Sequence, residues 1–332
     1  MENPVHHTAS LSLDPALFDL ASVDDETREI NSAVIARLAA QPDQWSLMAD
    51  EVRERRAKGL GAFPPAPLSH HAETLEIPGP GGPIPLRLLR YQPQGDEAPG
   101  CVYLHIHGGG WTFGGADQQD PLLETLAREG RCTVVSVEYR LAPEHLYPAA
   151  VEDCIAAARW LISVGAAQFG TDQLKIGGES AGAHLSVLTL LALRDEDGVM
   201  PFSGANLVAG CYDLSMTPSA RNFGDEKLVL RTIDVHNFVA RFLKPEDRPR
   251  DSAISPLYAD LTGLPDALFS VGTRDALLDD TLFMAARWMA AGNGAALDVA
   301  PGGAHVFQSL GGALAAKSIS RMASFLRGNP PS

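Results

Sequence analysis

Cysteine is scarce in this chain, and positive charge is scarcer than negative. The four cysteines, Cys101, Cys132, Cys154 and Cys211, stand far apart with no CxxC pair. That spacing supplies neither a disulfide framework nor a zinc site, so buried, reduced thiols are expected. Lys and Arg number 26 against 41 Asp and Glu, a formal net charge of −15. With no basic cluster to offset it, such a field repels a phosphate backbone, and no nucleic-acid partner is expected. Long apolar runs are also missing: Leu185–Leu193 is interrupted by Ser186 and Thr189 and is too short to cross a bilayer. Residues 1–25 lack the basic start and apolar stretch of a secretory leader. A cytoplasmic protein without stable membrane insertion is the expectation.

What remains is a chain of 332 residues, 45% hydrophobic and 20% charged, ample for a large buried core. Ile30, Val34, Ile35 and Leu38 recur at helical spacing over 26–40, and a second helical segment spans 45–57. The run Phe63-Pro64-Pro65-Ala66-Pro67 cannot continue a helix, which places a junction there. Strands at 74–77 and 85–91 then flank Gly79–Pro83 as a hairpin. The near-continuous apolar run 101–106 reads as a strand buried on both faces.

From there helices and strands alternate. Helices are expected at 117–129, 149–164 and 181–194, and strands at 133–137, 174–176 and 204–209. This alternation is the mark of parallel βαβ units whose helices cover the sheet. It breaks between Cys211 and Pro256, a polar stretch with a helical piece at 225–243, and resumes with strands at 267–271 and 297–300 and helices at 279–291 and 311–327. The organisation expected is an N-terminal helical segment (1–70), a core in two parts (71–210 and 257–332) and a helical insertion (211–256).

The strongest chemical signal is Gly178-Glu179-Ser180-Ala181-Gly182, between an expected strand and an expected helix. A serine hydroxyl becomes a nucleophile only where a base can reach it, and a tight strand-to-helix turn forces that exposure. Small residues on either side leave room for the cramped backbone. The alternative is an ordinary βα turn with Ser180 as helix cap. His107-Gly108-Gly109-Gly110 ends the strand at 101–106, and the amides of Gly109, Gly110 and Ala181 would together form an oxyanion hole. His105-x-His107 puts two imidazoles on one strand face, but no third ligand pattern accompanies them and no metal is expected.

A base and an orienting acid should follow the serine in chain order. Of the histidines after Ser180, His184 reads as packed and His236 lies in the insertion, which leaves His305, in a loop after the strand at 297–300. The loop after the strand at 267–271 offers Asp275, Asp279 and Asp280. Asp275 is nearest the strand's C-terminal end, where open α/β sheets gather functional groups, whereas Asp279 reads as a helix cap. Trp111 and Tyr212 are candidates for shaping a substrate pocket, with simple packing as the alternative.

These motifs resemble the hormone-sensitive-lipase-like branch of the α/β-hydrolases, the bacterial family IV esterases. The resemblance rests on His107–Trp111, on Glu138-Tyr139-Arg140-Leu141-Ala142-Pro143-Glu144-His145, on the GESAG turn, on Asp275-Ala276-Leu277 and on His305-Val306-Phe307. It spans about residues 84–325. It implies a mostly parallel central sheet flanked by helices, with a helical cap built from the N-terminus and the insertion. It further implies Ser180 as nucleophile, His305 as base, Asp275 as its partner and no cofactor. Short- to medium-chain acyl esters are the implied substrates. An aryl amidase or formamidase with the same triad is the alternative, and a non-catalytic ligand-binding protein a more distant one. Two positions depart from the family: Glu179 stands where many relatives have Asp or Thr, and Ala276 where proline is usual. The partner expected is a small-molecule ester, and an exposed edge strand could pair two subunits as a homodimer.

Overall fold

Alternating side chains of the first hairpin decide where the sheet begins. Ile77, Ile84, Leu86 and Leu88 turn inward and are almost fully buried, while Glu73, Thr74 and Glu76 face solvent. A computed structural model of the chain describes residues 13–92 and 100–329, so residues 1–12, on which the reading of the N-terminus partly rests, lie outside it.

In chain order the elements are α1 (Asp25–Ala39), α2 (Ala49–Ala57), β1 (Ala72–Gly79), β2 (Gly82–Leu89), β3 (Cys101–Ile106), α3 (Asp120–Gly130), β4 (Cys132–Val137), α4 (Ala149–Phe169), β5 (Leu174–Glu179), α5 (Ala181–Asp195), β6 (Phe202–Val208), α6 (Pro218–Asn222), α7 (Thr232–Phe242), β7 (Ala267–Arg274), α8 (Leu278–Ala290), β8 (Ala295–Ala304) and α9 (Gly312–Leu326). Among the described residues eight strands form one sheet in the order β1-β2-β4-β3-β5-β6-β7-β8. β1 and β2 pair antiparallel, as do β2 and β4, and every later pairing is parallel. The mostly parallel α/β-hydrolase sheet expected from the motifs is therefore present.

Strands β3, β4 and β5 are buried along their whole length, as strands covered on both faces must be. The chain leaves β3 toward β4 on one side and reaches β5 on the other. The loops after β3 and β5 consequently meet at a crevice beyond the strand ends, the place where open α/β sheets bind ligands. Among the described residues no helix is long and apolar enough to cross a membrane.

Several boundaries moved for local reasons. The hairpin turn shrinks to Pro80-Gly81, because Gly79 and Gly82 still pair. The segment at 45–57 divides: the Asp43 carboxylate accepts from the Trp45 amide and closes a short turn over Gln44–Ser46 before α2. α4 runs on to Phe169, past the expected end at 164, with Leu161 and Leu174 of the core lying against Gly165. In the insertion the helix starts at Thr232 rather than Asp225, since the Asp234 carboxylate accepts from the Arg231 amide and caps it there. All four cysteines are buried free thiols. Two of them are close in space after all, since Cys101 and Cys132 are register partners on β3 and β4.

Candidate active site

The turn after β5 is shaped by one carbonyl. A Cβ at Gly178 would sit 1.9 Å from the Ile106 oxygen, and a Cβ at Gly182 would sit 1.8 Å from the same atom. Both glycines of the motif are thus required by the close approach of β3. Between them Ser180 adopts φ 55° and ψ −118°, a conformation that costs a non-glycine residue on the order of 1–3 kcal/mol. Its amide donates to the Val208 carbonyl of β6, which holds the strained turn in place. Its hydroxyl makes no cap to α5, so the alternative reading as a helix cap does not describe it.

His305 and Asp275 arrive from the loops after β8 and β7. His305 Nε2 lies 3.0 Å from Ser180 Oγ, and its Nδ1 lies 3.0 and 2.9 Å from the two Asp275 oxygens. A carboxylate only accepts, so Nδ1 carries the proton and Nε2 is left to accept the serine hydroxyl. Asp275 also accepts from the Leu277 amide at 2.8 Å. His305 and Asp275 are buried, while Ser180 keeps partial access.

The other two acids of that loop do different work. Asp280 accepts from the amides of Tyr212 and Asp213 and from the Thr217 hydroxyl, and Asp279 accepts from the Ser219 amide. Both anchor the start of the insertion. The helix cap expected at Asp279 is not formed, because α8 begins one residue earlier, behind Leu277. Burial pushes the Asp280 carboxyl up to about 7, against the pull of its hydrogen-bond donors.

The glycine loop after β3 lies against the serine turn. A Cβ at Gly108 would be 2.8 Å from the Glu179 carbonyl oxygen. Gly109 has φ +119° with the Phe113 carbonyl in its Cβ position, and Gly110 has φ +60° with the Phe238 ring there. No other residue fits either position. Among the described residues the amides of Gly109 and Gly110 have no acceptor, and the Ala181 amide, first in α5, has none within its helix. Three unsatisfied donors therefore stand beside Ser180.

A buried network holds this loop. The Glu179 carboxylate accepts from His105 Nε2 at 2.8 Å and from the Gly108 amide at 3.1 Å, and His105 Nδ1 lies 2.8 Å from Ser136 Oγ. Burial pushes the Glu179 carboxyl up, but the charge and hydrogen bond of His105 outweigh it, and the group stays below the usual carboxylate range. His107 stacks on Tyr139 at a centroid distance of 4.1 Å. The two imidazoles weighed as metal ligands are thus engaged separately.

Trp111 and Tyr212 sit elsewhere than an open pocket wall would require. Trp111 is buried, its Nε1 donates to His184 Nδ1 at 3.1 Å, and its ring stacks on Phe242. His184 in turn donates from Nε2 to the Ile254 carbonyl, and burial lowers its pKa to about 4. Tyr212 is fully buried against Gly210 and Phe269. Packing, the plainer reading of both aromatics, describes their surroundings. His236 is exposed on α7.

Contacts that sequence reasoning missed come from the N-terminal helices. Arg53 of α2 pairs with Glu144 at 2.8 Å and also donates to the carbonyls of Thr112, just after the glycine loop, and of Ala142, after β4. Asn31 of α1 donates to the Gly302 carbonyl near the end of β8, three residues before His305. Partners 59 and 271 residues apart leave no local signal.

Comparison with known proteins bears on the same segment. A family described by its α/β-hydrolase fold matches residues 103–309. The carboxylic ester hydrolase LipN of Mycobacterium tuberculosis is 38% identical over 225 residues, 65% of this chain and 59% of LipN. This chain thus spans less than two thirds of that relative's length. An esterase of Pyrobaculum calidifontis superposes with a TM-score of 0.81 at 28% identity, covering 93% of this chain and 100% of the other. An esterase of the bacterial hormone-sensitive lipase family superposes at 0.79 with 29% identity, covering 93% and 99%.

Proposed function

Because the chain belongs to the α/β-hydrolase family, in its hormone-sensitive-lipase-like branch, we propose that it is a serine carboxylesterase acting on short- to medium-chain acyl esters. The observation that carries this reading is the continuous hydrogen-bonded line from Asp275 through His305 to a serine on a strained turn. The names of its relatives, carboxylic ester hydrolases and esterases, favour esters over amides.

In this mechanism His305 takes the Ser180 proton as Oγ attacks the ester carbonyl. Asp275 stabilises the resulting imidazolium and holds its orientation. Charge developing on the carbonyl oxygen is met by the amides of Gly109, Gly110 and Ala181, already aimed and without other acceptors, so no reorganisation is needed at the moment of reaction. The first dipoles of α5 add to the same field. His305 then protonates the leaving alcohol, and water, activated by the same imidazole, releases the acid from Ser180. No step calls for a metal or cofactor. The described part of the N-terminal segment, residues 13–70, and the insertion 211–256 act as the cap over this centre. Arg53 ties the first of these to the segments at Thr112 and Ala142 and Asn31 ties it to the end of β8, while Asp279 and Asp280 tie down the second.

The test is hydrolysis of p-nitrophenyl acyl esters from acetate to laurate by wild type and Ser180→Ala. Turnover that peaks at a short chain and disappears in the variant is the expected result. Absence of Ser180-dependent turnover at every chain length would reject the reading.

A further inference from the structure

Between the N-terminal helices and the segment leading into α7 lies a cavity of about 70 Å³. Arg55, Arg56, Lys227 and Arg231 line it, against the carboxylates of Asp43 and Asp234. All four cations are partly buried. Two acids against four bases is an excess of positive charge in a chain whose net charge is −15.

Their partners make the imbalance sharper. Arg231 takes both carboxylates, meeting Asp43 and Asp234 at 2.9 Å each. Asp234 is further occupied by the side chains of Trp45 and Gln44. The other three cations end on neutral oxygens: Arg55 on Gln41 Oε1, Arg56 on Gln44 Oε1 and Lys227 on the Leu38 carbonyl. The Arg56 guanidinium also lies 4.4 Å from the centre of the Phe113 ring, and burial lowers its pKa to about 10, so it remains cationic at neutral pH. Arg56 and Lys227 feel Asp234 and Asp43 only through space, with no carboxylate among the described residues bonded to either. Such incompletely compensated cations are costly, and a forked guanidinium is matched best by a planar oxyanion.

The position of the cavity indicates which oxyanion. Phe113 and Phe238 form its inner neighbours, the first stacked under Arg56 and the second one turn along α7 from Asp234. On the other side the Phe238 ring fills the Cβ position of Gly110, and the Phe113 backbone carbonyl that of Gly109. The Phe238 ring, packed edge-on against Phe113, thus stands between Arg56 and the amide of Gly110. We propose that this cavity is a binding site for a small carboxylate, carried either by the ester substrate itself or by a free acid. The binding stands apart from the ester reading; the assignment to substrate rests on it.

Calorimetric titration of the Ser180→Ala protein with succinate at low salt tests the binding without turnover. One succinate per chain is expected, weakened at least tenfold by Arg56→Gln and by Lys227→Gln. Arg56→Lys keeps the charge but not the fork and should bind more weakly than wild type but more tightly than Arg56→Gln, which separates loss of charge from loss of fold. Lys58→Gln, on an exposed residue paired with Glu54 outside the cavity, should leave it unchanged. No binding, binding indifferent to both Gln substitutions, or tighter binding of inorganic phosphate than of succinate would overturn the proposal. A second arm compares kcat/KM for ethyl hydrogen succinate and ethyl butyrate. A preference for the half ester that falls at least tenfold in Arg56→Gln assigns the carboxylate to the substrate; a preference that does not fall assigns the bound succinate to a free acid. Turnover of neither ester, with succinate still bound, would reject the ester reading and leave the anion site standing.

Discussion

Replacing Glu179 by methionine removes the acceptor that ties the glycine loop to the serine turn. One buried donor, His105 Nε2, and one part-buried donor, the Gly108 amide, lose their partner. Each orphan costs about 1–3 kcal/mol, so the variant should lose about 2–6 kcal/mol of stability. At the usual unfolding entropy per residue, that lowers Tm by roughly 3–9 °C for a chain of this length. The catalytic cost has a different origin. With Gly108 released, the amides of Gly109 and Gly110 drift from the oxyanion position, and loss of one such donor lowers kcat by about 10²–10³. Glu179→Gln separates acceptor from charge. Its amide oxygen can still accept from Gly108, while its NH2 faces an imidazole that can move its proton to Nδ1 and donate to Ser136. The Gln variant should therefore stay within about tenfold of wild type. The assay is kcat and KM on p-nitrophenyl butyrate at 20 °C, beside thermal melts of both variants. A methionine variant that melts lower but keeps kcat within threefold would refute the link between this network and catalysis, as would a glutamine variant as impaired as the methionine one.

Other perturbations test other parts. Gly182→Ala places a methyl group against the Ile106 oxygen, and this backbone-to-backbone clash should abolish activity and lower Tm sharply, read by a melt and the same ester assay. Trp111→Ala, at a fully packed site, should cost about 3–5 kcal/mol, lowering the urea midpoint. A shift in acyl chain-length preference without that loss would show that the indole faces substrate instead. Asp280 has a folded pKa raised from 3.8 to about 7, so the folded state binds the extra proton. Its contribution is complete below about pH 4 and lost as pH rises through 7, by about 4 kcal/mol at most. Melts of Asp280→Asn should consequently decline less than wild type between pH 4 and 8; parallel profiles would contradict the shift.

The chain's own pattern determined the alternation of strands and helices, the serine turn, the glycine loop and the order of acid and base along the chain. These are local: period, breakers and tight turns act within a few residues. Choosing Asp275 from three nearby acids already stretched that logic. Only the folded molecule shows why the choice is distinct, with Asp275 turned to His305 while Asp279 and Asp280 grip the insertion. The same holds for Glu179. In sequence it is a departure from a motif, and in space its carboxylate joins β3, β4 and the glycine loop. Trp111 and Tyr212 read in sequence more readily as packing than as pocket, and in the fold both are buried. Beyond these, the attachment of the N-terminal helices through Arg53 and Asn31, and the convergence of Arg55, Arg56, Lys227 and Arg231 on one cavity, depend on residues brought together across long stretches of chain. Hydrophobic period sets which face of an element is buried, but not which distant element covers it. That second choice belongs to the tertiary structure, because only the packed whole decides which charges and donors are left without a partner.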